Sequence, residues 1–566
     1  MERNPSSVSN DHTDHKSASV VSPWGLERNS ETSNDLPQVD LGYSVYKASA
    51  YQQAGDFYEF TNIRYAAPPI GNRRFRPPQP PLSDRTEVQT GLKGNIPVQA
   101  IPIWRRGPQA WPYPGAEDCL SLDVKVPRAV WNARKTPVQR APVLVWIYGG
   151  GYTAGSKELF GTGAGLLARS AEPIIYVALN YRLGIYGFLG GRRYVSHGGT
   201  ANLGLLDQRF ALLWIQEHIS AFGGDPERVT VMGESAGGGS ILHQITAYGG
   251  SQGQSPFAQA IIQSPGFYPI TRPEVMDHHY QSALDYAGCR HLDDLVRLSE
   301  EKLKEINLAV IDQAPYGQFL LGPVVDGVFT PDLPGKLLKA GSFDRDLKIM
   351  LGQCYNEGHD YVEPVPISPS YFSAYLDRTF PALTPPVKDF ITDSLYPLTA
   401  REESARPDQK NSEVTPQPPF SHEPPYYSTP SACLQRLITD AIYIQHNNAL
   451  SEAFQNQTYN YLMSLAPGTH GTDVSYIFYN EGKEETPLPG LPRVKNPKLA
   501  HHLQRYLTNF ALYGNPNGHI EGGDLPIMRI RGDEHVVLNF ADDGIQEIRD
   551  PSAKEHCCWW QKGLFA

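Results

Sequence analysis

Short apolar runs rich in β-branched residues alternate with longer stretches of helical periodicity through the first half of the chain. PVLVWIY (142–148) is one such run and stops abruptly at Gly149, Gly150 and Gly151. PIIYVALNYR (173–182), RVTVMGE (228–234) and AQAIIQS (258–264) are three more. Between them, residues 201–222 repeat apolar positions at helical spacing and end at Gly223-Gly224, and AGGGSILHQI (236–245) reads as a second helix. Unbroken apolar strands alternating with helices predict a largely parallel sheet covered on both faces, an α/β architecture. The second half is less regular, but DLKIMLGQC (346–354) and QTYNYLMSL (457–465) read as two further buried strands. Residues 405–430, rich in Pro, Ser and charge, read as an exposed loop.

Length and composition narrow this picture. At 566 residues the chain could hold several domains, yet strands on both sides of 405–430 read as members of one sheet. We therefore expect a polar, disordered tail over 1–38 and a single domain over 39–566 with long excursions. Asp11, His12, Asp14 and His15 in that tail read as solvated residues rather than a metal site. The net charge of −11 argues against nucleic-acid binding, which favours a basic patch. No apolar run is long enough to span a membrane, and the N-terminus has no stretch of signal-peptide length. Six cysteines are too few for a disulfide scaffold in a chain of this size, and the Cys557-Cys558 pair lacks metal-site spacing.

The candidate chemistry begins at Gly233-Glu234-Ser235-Ala236-Gly237, which fits the nucleophile pattern G-x-S-x-G. An ordinary Gly-rich turn would give the same letters, but here a β-branched run precedes them and a Gly-rich helix start follows. A serine hydroxyl needs a base, and its transition state needs oxyanion donors. Backbone amides of Gly150, Gly151 and Ala236 are candidates for the donors. The base should be a histidine on a loop after a late strand, with a carboxylate between Ser and His in sequence. Glu357, in CYNEG, and His470, in GTHG, stand in that order after the two late strands. His359 and Asp360 are rivals close to Glu357.

The chain resembles the type-B carboxylesterase and cholinesterase family of the α/β-hydrolase fold from about Leu41 to the C-terminus. The matching strings are EDCLSLDV (117–124), WIYGGGY (146–152), NYRLGIYGFL (180–189), NLGLLDQ (202–208), FGGDPERVTVMGESAGG (222–238), PVVDG (323–327) and FALYGNPN (510–517). The resemblance implies a nucleophile at Ser235, a triad acid at Glu357 and a base at His470, with an oxyanion hole at Gly150, Gly151 and Ala236. It also implies supporting roles for Glu234 and Ser264, whose plainer reading is ordinary buried hydrogen bonding. The implied activity is hydrolysis of a small-molecule carboxylic ester through an acyl-enzyme, with no metal or organic cofactor.

Departures from the family pattern carry their own expectations. Cys119, Cys289 and Cys557 match one half each of the disulfides found in secreted members. No cysteine precedes Cys119, none follows Cys289 at short distance, and Gln445 stands where the partner of Cys557 would be. Together with the N-terminus, this implies a cytoplasmic enzyme. Trp104 and Trp111 fall where cholinesterases hold a quaternary ammonium, and we read both as packing residues. Two other readings share the sequence: a specialised hydrolase or transacylase for one biosynthetic intermediate, and a non-catalytic binding or adhesion relative.

Overall fold

The computed structural model describes residues 36–107, 114–136, 140–159, 162–397, 429–481, 491–518, 525–553 and 555–564. The expected tail up to Asp35, Trp111 and all but the last two residues of 405–430 lie outside them. A small antiparallel pair, β1 (Gln38–Asp40) and β2 (Val45–Lys47), precedes the main sheet. That sheet has eleven strands. In chain order they are β3 (Ala50–Gln52), β4 (Phe57–Arg64), β5 (Ser121–Pro127), β6 (Ala141–Ile147), β7 (Ile175–Leu179) and β8 (Gly224–Glu234). They continue with β9 (Gln259–Gln263), β10 (Lys348–Cys354), β11 (Tyr459–Met463), β12 (Val536–Ala541) and β13 (Gly544–Arg549).

The spatial order is β13-β12-β11-β10-β9-β8-β6-β7-β5-β4-β3. From β7 to β12 every neighbouring pair is parallel, and the edges are antiparallel. Every residue of β6 and β7 is buried, as expected of parallel strands covered on both faces. Val145 pairs with Val177 on one side and Val231 on the other, so β-branched residues meet across three adjacent strands.

All six strands read from the sequence form, each trimmed or extended by a few residues at its ends. The stretch 201–222 is a helix over Leu203–His218 closed by a 3₁₀ turn at Ile219–Phe222, and the second helix is Ala236–Ile245. The edge strands β3, β4, β5 and β13, together with β12, are additional to that reading. In β5 the apolar run is broken by Asp123 and Lys125, whose charges are met by Lys157 (2.8 Å) and Glu59 (3.0 Å). In β13 only partial burial exists to be patterned.

Two apolar clusters result. The larger fills both sides of the sheet. The smaller joins helices Pro369–Thr379, Pro430–Ile438 and the C-terminal turn bearing Trp559 and Trp560, and it includes Tyr361 and Tyr443. No helix among the described residues is long and apolar enough to cross a membrane.

Candidate active site

Parallel strands deliver their C-terminal ends to one edge of the sheet, where loops can converge. The glycine run follows β6, Ser235 follows β8, Ser264 follows β9, Glu357 follows β10 and His470 follows β11. Ser235 sits between strand and helix at φ 57°, ψ −123°, a conformation unfavourable for a residue with a Cβ. Its amide donates to the Gln263 carbonyl (3.0 Å), and its own carbonyl accepts from Gly239 (2.8 Å) and Gly266 (3.0 Å), so the turn is fixed from both sides. The turn also demands close approach. A Cβ at Gly237 would lie 2.0 Å from the Ile147 carbonyl oxygen, and one at Gly149 would lie 2.9 Å from the Ser235 Cβ.

Loops after β10 and β11 run beside each other beyond the sheet. Tyr355 N donates to Met463 O (3.0 Å) and Asn356 N to Gly468 O (2.8 Å), with a bridge between Asn356 and Thr469. This pairing sets Glu357 next to His470. His470 Nδ1 is 2.6 Å from Glu357 Oε2, and Nε2 is 2.8 Å from Ser235 Oγ. In the neutral ring, Nδ1–H donates to the carboxylate and the serine hydroxyl donates to Nε2. The other oxygen of Glu357 accepts from Ser264 Oγ and Cys354 N, each at 2.6 Å. Ser264 is itself held by its amide on the Gly352 carbonyl (2.9 Å).

Glu234 lies on the far side of the imidazole. Its Oε1 is 3.3 Å from His470 Nε2 and makes no hydrogen bond of its own among the described residues. Burial pushes the Glu234 carboxyl up to about 8, partly opposed by His470. Burial by itself would lower His470, but Tyr361, Glu234 and Glu357 outweigh it and hold the ring well above the usual histidine value. A third buried acid, Asp473, accepts from Tyr461 (2.7 Å), and burial raises it to about 6.

The amides of Gly150, Gly151 and Ala236 donate to nothing among the described residues. Gly151 and Ser235 share a narrow, partly open pocket walled by Tyr152, Phe267, Tyr268, Phe319, Leu321 and Tyr443. The expected residues are therefore brought together, with the rivals His359 and Asp360 exposed beside them. Three neighbours were missed. Tyr443 and Tyr361 set their rings 4.5 and 5.7 Å from His470, and Asp473 lies three residues beyond it. The close spacing of Asp473 to His470 and of Tyr361 to Glu357 was a usable signal; Tyr443 arrives from the distant helical segment Thr439–Ile444 and left none. Trp104 packs as expected, against Tyr316, Phe319 and Tyr361, and so borders the cavity. All six cysteines are free, and Cys557 Sγ donates to Asp440 (3.2 Å).

Comparisons with known proteins agree with this architecture. The model of the carboxylesterase family matches residues 45–559. A carboxylesterase, patB, of Aspergillus clavatus is 34 % identical over 96 % of this chain and 99 % of its own length. The patB carboxylesterase of Penicillium expansum is 33 % identical over 94 % and 96 %. Among solved structures, Aspergillus niger EstA superposes with a TM-score of 0.76 at 25 % identity, covering 94 % of this chain and 98 % of its own. A pNB esterase gives 0.70 at 26 % identity, covering 91 % and 97 %. With a family match over residues 45–559 and an eleven-stranded α/β-hydrolase sheet beneath it, this chain belongs to the carboxylesterase family.

Proposed function

We propose that Ser235, His470 and Glu357 act as a catalytic triad on a small-molecule carboxylic ester. The observation carrying this reading is the unbroken relay from Ser235 Oγ to His470 Nε2 (2.8 Å) and from Nδ1 to Glu357 Oε2 (2.6 Å), at the wall of a cavity. Ser235 attacks the ester carbonyl as His470 takes its proton, and Glu357 orients and stabilises the charged ring. The oxyanion meets the amides of Gly150, Gly151 and Ala236, each worth about 2.7–4 kcal/mol of transition-state stabilisation in comparable sites. His470 returns the proton to the leaving alcohol, then activates water to free the acid. Glu234 and Ser264 support the ring and the carboxylate.

The pocket is lined mostly by apolar and aromatic side chains, which suits the hydrocarbon parts of an ester. We also propose a cytoplasmic enzyme, supported by six free thiols of which Cys119, Cys354, Cys433 and Cys557 are buried; cell fractionation tests that placement. The activity is tested with short-chain p-nitrophenyl esters and a serine-directed phosphonate probe on the wild type and Ser235→Ala. Turnover and labelling should both vanish in the variant. Turnover that survives it would overturn the assignment.

A further inference from the structure

The helical turn Ile103–Arg106, packed through Trp104 on the pocket-lining Phe319, carries two arginines with opposite fates. Arg106 is tied down, with Nη2 on Asp312 (2.5 Å) and Nε on the Ile101 carbonyl (3.1 Å). Arg105 has an exposed side chain, and no carboxylate lies within ion-pair distance of it among the described residues. Its guanidinium rests instead against the Tyr361 phenol, with Tyr443 and Asp360 nearby. Tyr361 in turn sets its ring 5.7 Å from His470, and Tyr443 walls the cavity. Trp104, the preceding residue, anchors the turn by donating to the Gln318 carbonyl (2.9 Å) and packing on Phe319. Arg105 is thus a positioned cation one side chain away from the catalytic histidine.

The surrounding charges leave that cation available. Asp360 is exposed on the adjacent turn and is not bonded to it. Glu357 is fully engaged by His470, Ser264 and Cys354, and Asp473 by Tyr461. Burial raises the Glu234 carboxyl, and the charges of His470 and Arg105 draw it back down, so Glu234 is the buried acid that faces both cations. The chain as a whole carries a net charge of −11 and repels anions, which makes a local cation at this rim selective rather than generic.

We propose that Arg105 recognises a carboxylate on the substrate, so that the ester is a half-ester of a dicarboxylic acid or an ester of a hydroxy acid. A guanidinium presents a planar fork that matches a carboxylate with two parallel hydrogen bonds, and its position at the rim holds that group away from the scissile carbonyl at Ser235. This inference rests on the esterase reading and adds the substrate class to it.

Two matched ester pairs test it. Mono-p-nitrophenyl glutarate against its methyl ester puts the carboxylate on the acyl side. 4-Acetoxybenzoate against methyl 4-acetoxybenzoate puts it on the alcohol side. Release of the phenol is followed for the wild type, Arg105→Gln and Arg105→Lys, and the readout is the ratio of kcat/KM within each pair, which is independent of how much protein folds. In one pair the wild type should favour the anion on the order of ten- to a hundredfold, mainly through KM. Gln should remove that preference, Lys should keep part of it, and added salt should erode it. The pair that responds tells which side of the ester carries the acid. Neutral esters turned over with no charge preference, or a preference unchanged in Arg105→Gln, would overturn this inference and leave the esterase reading standing. Failure to hydrolyse any of the four would sink both.

Discussion

Ser264 and Glu357 lie 93 residues apart in sequence and 2.6 Å apart in space, the serine hydroxyl donating to Oε1 of the carboxylate. That contact, with the Cys354 amide on the same oxygen, leaves Oε2 as the acceptor for His470 and fixes its direction. Loss of the charge and loss of the support should therefore differ in size. Glu357→Gln should lower kcat by on the order of 10⁴-fold, as expected when the ring loses its tautomer and its counter-charge. Ser264→Ala leaves the charge and the amide contact, so it should cost roughly ten- to a hundredfold, the worth of one hydrogen bond to a charged group. Equal losses in kcat would mean that Ser264 does more than hold the carboxylate.

The pH dependence of kcat/KM should rise with pH along a limb displaced above the ordinary histidine value of about 6.5. His470 must be neutral to accept the serine proton, and the acids around it favour its charged form. Glu234→Gln removes one of those acids and should move the limb to lower pH. A limb that stays in place would show that Glu234 does not act on the ring electrostatically.

Stability should carry the same signature with a definite sign. Glu234 has a folded-state value of about 8 against 4.5 as the ordinary carboxyl value, so between these the folded protein holds a proton that the unfolded chain releases. Wild-type stability therefore declines as pH rises through that window. Glu234→Gln abolishes this share of the decline. Thermal unfolding across pH 5 to 8 should show the variant gaining on the wild type as pH increases, and parallel curves would contradict the assignment.

Much of this site was legible before any coordinates, and the reasons are local. The strand-turn-helix at 228–245 reveals itself because β8 is apolar and its turn requires glycines at close approach. The order of Glu357 and His470 follows from strands β10 and β11, whose buried runs 349–351 and 461–463 mark them in the sequence. What stayed hidden depends on distant partners. Asp123 and Lys125 look wrong for a buried strand until Lys157 and Glu59 are seen to neutralise them. Tyr361, Tyr443 and Arg105 have no motif, since their meaning comes only from which side chains the fold sets beside them.

Reduction should leave the protein unchanged. All six cysteines are thiols, so dithiothreitol should not alter the melting temperature. Iodoacetamide under native conditions should reach only the half-exposed Cys289 and Cys558, and all six in denaturant, as counted by mass spectrometry. A reductant-sensitive melting temperature would reveal a bridge formed in solution.

The glycines around Ser235 have a consequence for how this enzyme can diversify. With Gly237 pressed onto the Ile147 carbonyl, the segment bearing Ser235 tolerates almost no added atom. The cavity wall, by contrast, is supplied largely by the side chains of Phe267, Tyr268, Phe319, Leu321 and Tyr443, none of which exchanges a hydrogen bond with Ser235, His470 or Glu357. Reaction and selectivity rest on different side chains, even where they share a segment, as Ser264 and Phe267 do. A library directed at those walls can search for new esters while the chemistry rides along untouched, whereas one directed at the turn will mostly return silent protein.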